Sequence, residues 1–289
     1  MNIKKKLKET HLLPSRKKII NFTPTGTQTT RQNSFAPLEV NEIIDEVLLA
    51  NEIGITLVHL HARDENLQNT WKPQVWQSII EGIRKSAPDL AICTSLTGRN
   101  FPELEKRCTV LQLKPDMASL TLSSINFPTG ASINEPDMIV GLVKEMNKWG
   151  VIPELECFDS GMVNMAKHLI DKSMITGPFY FNVILGNRYN AQCNLSTLSD
   201  IKNQIPDNSV VTLGGIGNQQ LKSNLCGLID FDGVRVGLED NFYYRYKEKT
   251  TNKELLKRIH RIMKELDLEL LTSQEFKHLG YENRIFNNR

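Results

Sequence analysis

Residues 57–64 read Leu57-Val58-His59-Leu60-His61-Ala62-Arg63-Asp64. In an extended strand, side chains at i and i+2 point to one face. His59 and His61 therefore project together, while Val58 and Leu60 face the other way. Two imidazoles side by side at a strand end form a partial ligand set for Zn²⁺ or a similar divalent metal. The competing reading is a pair of hydrogen-bonded histidines that fill a core. A metal needs a third ligand, an acid or histidine from another strand end.

Two segments supply acids. Residues 233–241 read Gly233-Val234-Arg235-Val236-Gly237-Leu238-Glu239-Asp240-Asn241. If the valines face outward, Arg235 points inward, and its flanking glycines leave room for a guanidinium and a substrate. A buried arginine without a partner is costly. Of Glu239 and Asp240, one can ligate the metal and the other can pair with Arg235. The second segment is Pro153-Glu154-Leu155-Glu156-Cys157-Phe158-Asp159. Glu154 and Glu156 share a face by the same alternation. They can be metal ligands, groups behind the ligands or partners of Arg235, which makes them the rivals of Glu239.

Hydroxyls and glycines recur at other strand ends: Thr23 to Arg31, Thr94 to Arg99 and Ser119 to Ser124. Such groups suit a carboxylate or a phosphate, and turns use them as well. Gly214-Gly215-Ile216-Gly217 is not a dinucleotide fingerprint, since GxGxxG and GxxxxGK[ST] are both absent.

These residues need a scaffold that brings several strand ends together. Apolar, β-branched runs occur at Lys18–Phe22, Thr56–His61, Leu90–Ser95, Met117–Leu122, Ile152–Phe158, Tyr180–Leu185, Val210–Leu213 and Gly233–Gly237. Helical patterns lie between them: Leu38–Asn51, Pro73–Ser86, Glu103–Leu113, Pro136–Trp149, Met162–Lys172, Ser196–Gln204, Gln219–Leu225 and Asn252–Asp267. This alternation predicts an α/β fold with parallel strands. Eight units over about 250 residues match a (β/α)8 TIM barrel, whose active sites lie at the C-terminal mouth. There, loops after strands seven and eight often bind phosphate, which places Gly215 at a candidate binding loop. A doubly wound open sheet is the alternative. Residues 1–16 form a basic extension and 17–289 a single catalytic barrel.

Charge and cysteine usage narrow the class. The chain holds 35 Lys and Arg against 33 Asp and Glu. Seven of the basic residues lie within residues 1–18, opposed by Glu9 alone, which leaves 28 basic and 32 acidic residues elsewhere. A slightly acidic body does not suit nucleic acid. The basic start lacks the apolar run of a secretory signal. No apolar stretch reaches the ~20 residues of a membrane span. Five irregularly spaced cysteines with no CxxC pair point to free thiols in the cytoplasm.

His59-Leu60-His61-Ala62-Arg63-Asp64, Gly233 to Asn241, Thr25-Gly26, Lys114-Pro115-Asp116-Met117-Ala118, Pro153-Glu154-Leu155-Glu156 and Gly215-Ile216-Gly217 occur in one order. Together they resemble the β-keto acid cleavage enzymes, whose founding activity is 3-keto-5-aminohexanoate cleavage in lysine fermentation, an amino-acid catabolism. The resemblance spans about residues 17 to 280. It implies a (β/α)8 barrel with one Zn²⁺, usually a homotetramer. It also implies a transferase reaction: a β-keto acid plus acetyl-CoA gives acetoacetate plus a new acyl-CoA thioester. On this chain it implies His59, His61 and Glu239 as metal ligands and Arg235 and Asp240 as catalytic residues. Thr25, Gln28, Ser95, Ser119 and Gly215 become substrate-binding candidates, with Glu154 and Glu156 as supporting groups or alternative acids.

Three departures carry expectations. Gln28 stands where the founding activity uses an acid to hold an ammonium group, and a neutral amide cannot pair that way. A neutral or hydroxylated substrate tail is expected. The family's serine before Thr97-Gly98 matches Leu96, with Ser95 one position earlier. Either the strand end bulges so that Ser95 takes the place, or the hydroxyl is lost. Asn218 replaces a usual arginine. Readings outside this family are a metal-dependent barrel aldolase, lyase or hydrolase without CoA, and a barrel that only senses a small acid.

Overall fold

The structure, a computed structural model, describes residues 12–14, 16–27, 35–128 and 130–285. Eight parallel strands form its centre: β1 (Lys17–Phe22), β2 (Leu57–Leu60), β3 (Ala91–Thr94), β4 (Met117–Thr121), β5 (Ile152–Cys157), β6 (Phe179–Leu185), β7 (Ser209–Gly215) and β8 (Gly233–Val236). Each pairs with the next in sequence, and β8 returns to β1 with Asn21 opposite Arg235. The sheet is therefore closed. This is the predicted (β/α)8 TIM barrel and not an open sheet.

The alternation read in the sequence sets two layers. Ile20, Phe22, Val58, Leu60, Ile92, Leu155, Val234 and Val236 face outward into the main core, beneath the helices. Ile19, Leu57, Ala91, Met117, Ile152, Tyr180 and Val210 face inward at the N-terminal end of the barrel. A last helix, Ser273–His278, closes that end. Its Phe276 stacks on Tyr281 with ring centroids 4.5 Å apart, and both meet Tyr180 edge-on. The floor of the barrel is thus closed by apolar and aromatic side chains. Polar inward residues begin one layer higher.

The helices that return the chain are α1 (Val40–Ile53), α2 (Pro73–Ser86), α3 (Leu104–Cys108), α4 (Pro136–Trp149), α5 (Ser160–Asp171), α6 (Leu195–Gln204), α7 (Gln220–Asp230) and α8 (Asn252–Glu265). α2 shows why they form. Pro73 sits at the first turn, where its missing N–H costs nothing. Trp76, Ile79, Ile80 and Ile83 then make one buried stripe at helical spacing. Side-chain caps start α5, α6 and α8 at Asp159, Asn194 and Thr251.

Some sequence expectations change. The helix expected over Glu103–Leu113 is α3 followed by a 3₁₀ turn over Thr109–Leu113, which ends at left-handed Lys114 (φ 51°). α7 runs on to Asp230, and β7 extends through Gly214 and Gly215. The closing helix and the hairpin Ile125–Phe127/Gly130–Ser132 are not evident in the sequence pattern. Two- or three-residue strands are too short to show a period. Of the basic extension, residues 1–11 and 15 lie outside the described residues.

Candidate active site

His59 leaves β2 toward the barrel axis, as the alternation requires. Its Nδ1 lies 2.6 Å from Glu154 Oε2, which reaches in from β5. Glu154 Oε2 also accepts from Cys93 Sγ at 3.2 Å. Its Oε1 accepts from Asn21 Nδ2 at 2.7 Å and Asn182 Nδ2 at 3.0 Å. Both oxygens of this fully buried carboxylate are therefore engaged. Burial alone would raise its pKa, but His59 and Arg235 outweigh burial and hold it low. A carboxylate at Nδ1 holds one ring proton there and leaves Nε2 as the nitrogen that a metal would take by displacing the other proton. Burial opposes charge on His59, yet Glu154 and Glu239 lift its pKa to about 9.

His61 lies just beyond β2, its ring centroid 5.2 Å from that of His59. Its Nε2 is 3.2 Å from Glu239 Oε1. Burial pushes its pKa down to about 4, so it stands neutral. A neutral imidazole is the form that ligates a metal.

Arg235 projects inward from β8, and Val234 and Val236 outward, as the sequence predicts. Its Nε donates to Asp240 Oδ2 at 2.8 Å, and one terminal nitrogen to Asp240 Oδ1 at 3.2 Å and Glu239 Oε1 at 2.7 Å. Its other terminal nitrogen lies 3.6 Å from Glu156 Oε1. Burial would favour a neutral arginine, but Asp240 and Glu239 hold it firmly charged. Burial raises the pKa of Asp240 despite Arg235. It raises that of Glu156 as well, and Thr121 Oγ1 donates to Glu156 at 2.7 Å.

One expectation is corrected here. The glycines flanking Arg235 do not make its room. A Cβ at Gly233 or Gly237 would strike the carbonyl of Ile19 or Thr23 at 2.1 and 2.0 Å, so these glycines let β8 approach β1. Room for the arginine comes from Gly214 on β7, where a Cβ would meet its side chain at 3.0 Å.

The remaining candidates sit around this centre. Thr25 is buried just after β1, and its Oγ1 has no partner among the described residues. Gly26 follows in left-handed geometry (φ 69°), so close that a Cβ would lie 2.6 Å from Glu239 Cγ. Arg63 donates to the Gly26 carbonyl at 2.6 Å and fixes this turn. Ser95 keeps the inward parity of β3, whereas Leu96 is buried in the outer core. The hydroxyl on this strand end that can face the axis is therefore that of Ser95. Ser119 Oγ accepts from the Leu96 amide at 3.1 Å. Gly215 ends β7, packed against Gln219 and Ser223. The amides of Ile216 and Gly217 donate inward, to the carbonyls of Leu185 (2.8 Å) and Asp240 (2.7 Å). Those two N–H groups are thus committed within the fold and do not point at a phosphate. Asn218 is exposed, and Gln28 lies outside the described residues.

Among the described residues, two groups of side chains bring ligand atoms within 4.8 Å of one another: His59, His61, Glu239, and His59, Cys93, Glu154. The first fits a metal better. Glu239 Oε2 is buried with no partner among the described residues, whereas both oxygens of Glu154 are taken. Arg235, His61 and His59 also outweigh burial and hold Glu239 well below the usual carboxylate range. Sequence reasoning did not find Asn21, Asn182 and Cys93 as partners of Glu154. Their inward parity on β1, β6 and β3 was the available signal.

Comparison with known proteins gives the family. The family model described as beta-keto acid cleavage enzyme matches residues 17–280. The chain belongs to the beta-keto acid cleavage enzymes. Its membership makes it an acyltransferase that cleaves a carbon–carbon bond. It is 31% identical over 266 residues to a 3-keto-5-aminohexanoate cleavage enzyme of Acetoanaerobium sticklandii, covering 91% of this chain and 97% of the relative. It is 34% identical over 228 residues to a 3-oxoadipate:acetyl-CoA acetyltransferase of Cupriavidus necator, covering 77% and 80%. Among solved structures, apo ObcA aligns with a TM-score of 0.73 at 18% identity, over 86% of this chain and 66% of ObcA. That likeness is one of fold.

Proposed function

We propose that this beta-keto acid cleavage enzyme is zinc-dependent and converts a β-keto acid and acetyl-CoA into acetoacetate and a new acyl-CoA thioester. The observation that carries this reading is the clasp of Asp240 by Arg235 beside the His59–His61–Glu239 cluster. His59, His61 and Glu239 would hold the metal. A bound Zn²⁺ supplies Lewis-acid polarisation of the substrate ketone.

This chain's own groups do the rest. Asp240, its pKa raised by burial and its carboxylate aimed by Arg235, takes the proton between the ketone and the carboxylate. Arg235 remains charged and stabilises the developing negative charge. The carbanion then attacks the acetyl carbonyl of acetyl-CoA. In the balance of the reaction, the bond between the substrate's C2 and its ketone carbon breaks. The acetyl group joins C2 as its C–S bond breaks and frees the CoA thiolate. The remaining acyl group passes to that sulfur, and C2, with its carboxylate and the new acetyl group, takes back the proton from Asp240 and leaves as acetoacetate. Thr25, Ser95, Ser119 and Gly215 line the substrate's path, and Gln28 stays a substrate-binding candidate on the sequence resemblance alone. Glu154 orients His59, and Glu156 neighbours Arg235.

The relatives are named for tails that differ in charge, and we place this chain in the same catabolic chemistry of small keto acids. Free cysteines and the absence of a membrane-crossing helix among the described residues support a cytoplasmic enzyme. The family resemblance supports a homotetramer.

The test is an assay of acetoacetate and thioester formation from a panel of β-keto acids, with zinc-loaded protein, with and without acetyl-CoA. Products that need acetyl-CoA support the reading. Cleavage without acetyl-CoA would move the assignment to a metal-dependent aldolase or lyase. Asp240→Asn should retain its metal and lose turnover about 10²- to 10⁴-fold. It should also stop exchange of the substrate's C2 protons with D₂O, measured by NMR without acetyl-CoA.

A further inference from the structure

Arg99 stands at the mouth of the barrel in the loop after β3. One of its terminal nitrogens donates to Thr27 Oγ1 at 2.6 Å. Its guanidinium carbon lies over the Phe127 ring, 3.7 Å from the centroid. Phe127 is in turn braced edge-on by Phe158. The Nε of Arg99 is buried and has no partner among the described residues. None of the described carboxylates lies within ion-pair distance of it. Arg235 deeper in the mouth, by contrast, is bound to Asp240 and Glu239.

The loop that carries Arg99 is anchored. Buried Arg107 donates to the Leu96 carbonyl at 2.7 Å and to Asn134 Oδ1 at 2.8 Å. Gly98 leaves the space that Arg107 fills. Burial depresses the Arg99 pKa, while the fields of Glu239 and Glu156 partly restore it. A stacked, half-buried, anchored guanidinium with unused donors is built for a planar anion.

We propose that Arg99 is the specificity-determining residue for a carboxylate at the far end of the substrate, so that the preferred substrate is a β-keto dicarboxylate. This rests on the acyl-transfer reading above. The carboxylate and ketone of a β-keto acid are adjacent and belong at the His59–His61–Glu239 end. A group that reaches Arg99 at the rim must come from the other end of the molecule. Gln28 alone points to an uncharged tail, and Arg99 supplies the charge that Gln28 does not predict.

The experiment compares zinc-loaded wild type, Arg99→Gln and Arg99→Lys on 3-oxoadipate, on 3-oxohexanoate (the same carbon chain with a methyl end) and on 5-amino-3-oxohexanoate. Acetyl-CoA is saturating, and thermal melting checks the fold. Wild type should favour the diacid. Arg99→Gln should lower its kcat/KM about 30-fold or more, mainly through KM, and leave 3-oxohexanoate within twofold. Arg99→Lys should recover part of the loss. Equal use of diacid and neutral acid by wild type would overturn the proposal, as would an equal loss on both in Arg99→Gln. A raised KM for acetyl-CoA alone would assign Arg99 to the CoA phosphates instead. The same compounds are titrated calorimetrically without acetyl-CoA, so the result does not depend on turnover. Diacid binding lost in Arg99→Gln supports the assignment, and equal binding overturns it. Absence of product from every acid, with normal diacid binding, would overturn the acyl-transfer reading and leave the Arg99 assignment standing.

Discussion

The two histidines differ in what stands behind them. His59 is held by a carboxylate whose four hydrogen bonds come from β1, β2, β3 and β6, whereas His61 meets Glu239 directly. Glu154 thus fixes the His59 ring, and Glu239 keeps an oxygen without a partner among the described residues. In Glu154→Gln, a side-chain amide would face Nδ1, or an uncharged carbonyl would accept from it. Either change weakens the basicity of Nε2. Metal affinity should fall about 10- to 100-fold, read by chelator competition, with zinc still binding stoichiometrically at high concentration. Glu156→Gln should change metal affinity little, because Glu156 contacts Thr121 and Arg235 and no histidine.

At the scale of elements, the site depends on strand ends meeting turns. The Gly26 turn after β1 backs Glu239, and Arg63 pins that turn from beyond β2. Gly26→Ala combines a left-handed φ with a Cβ inside the Glu239 side chain. It should cost about 1–2 kcal/mol from the backbone alone, measured by urea unfolding, and should displace Glu239 enough to weaken metal binding further than stability.

The same scale explains what was legible in the sequence. Period-two alternation placed His59, His61, Arg235 and Glu154 inside the barrel, because that signal is local. The eight strands were legible for the same reason. The choice among Glu239, Asp240, Glu154 and Glu156 was not, because it depends on how β5 and β8 align with β2 across the barrel. The room for Arg235 was misassigned to its own neighbours, since Gly214 lies on another strand and reaches it only through sheet pairing. Phe127 beneath Arg99 belongs to a hairpin too short to carry a pattern.

At the scale of the molecule, the two ends of the barrel divide stability from chemistry. Phe276 and Tyr281 plug the floor far from the charged mouth. Phe276→Ala should destabilise the fold by about 3–5 kcal/mol, measured by chemical denaturation, while the remaining folded enzyme keeps its KM. The plug also has a kinetic consequence. With the floor closed, the small keto acid and the bulky thioester share one entrance, and the keto acid must lie deeper. Addition should be ordered, with the keto acid first. Excess acetyl-CoA should then inhibit at low keto acid, and raising the keto acid should relieve it. The seal that stabilises the barrel thereby makes it a queue.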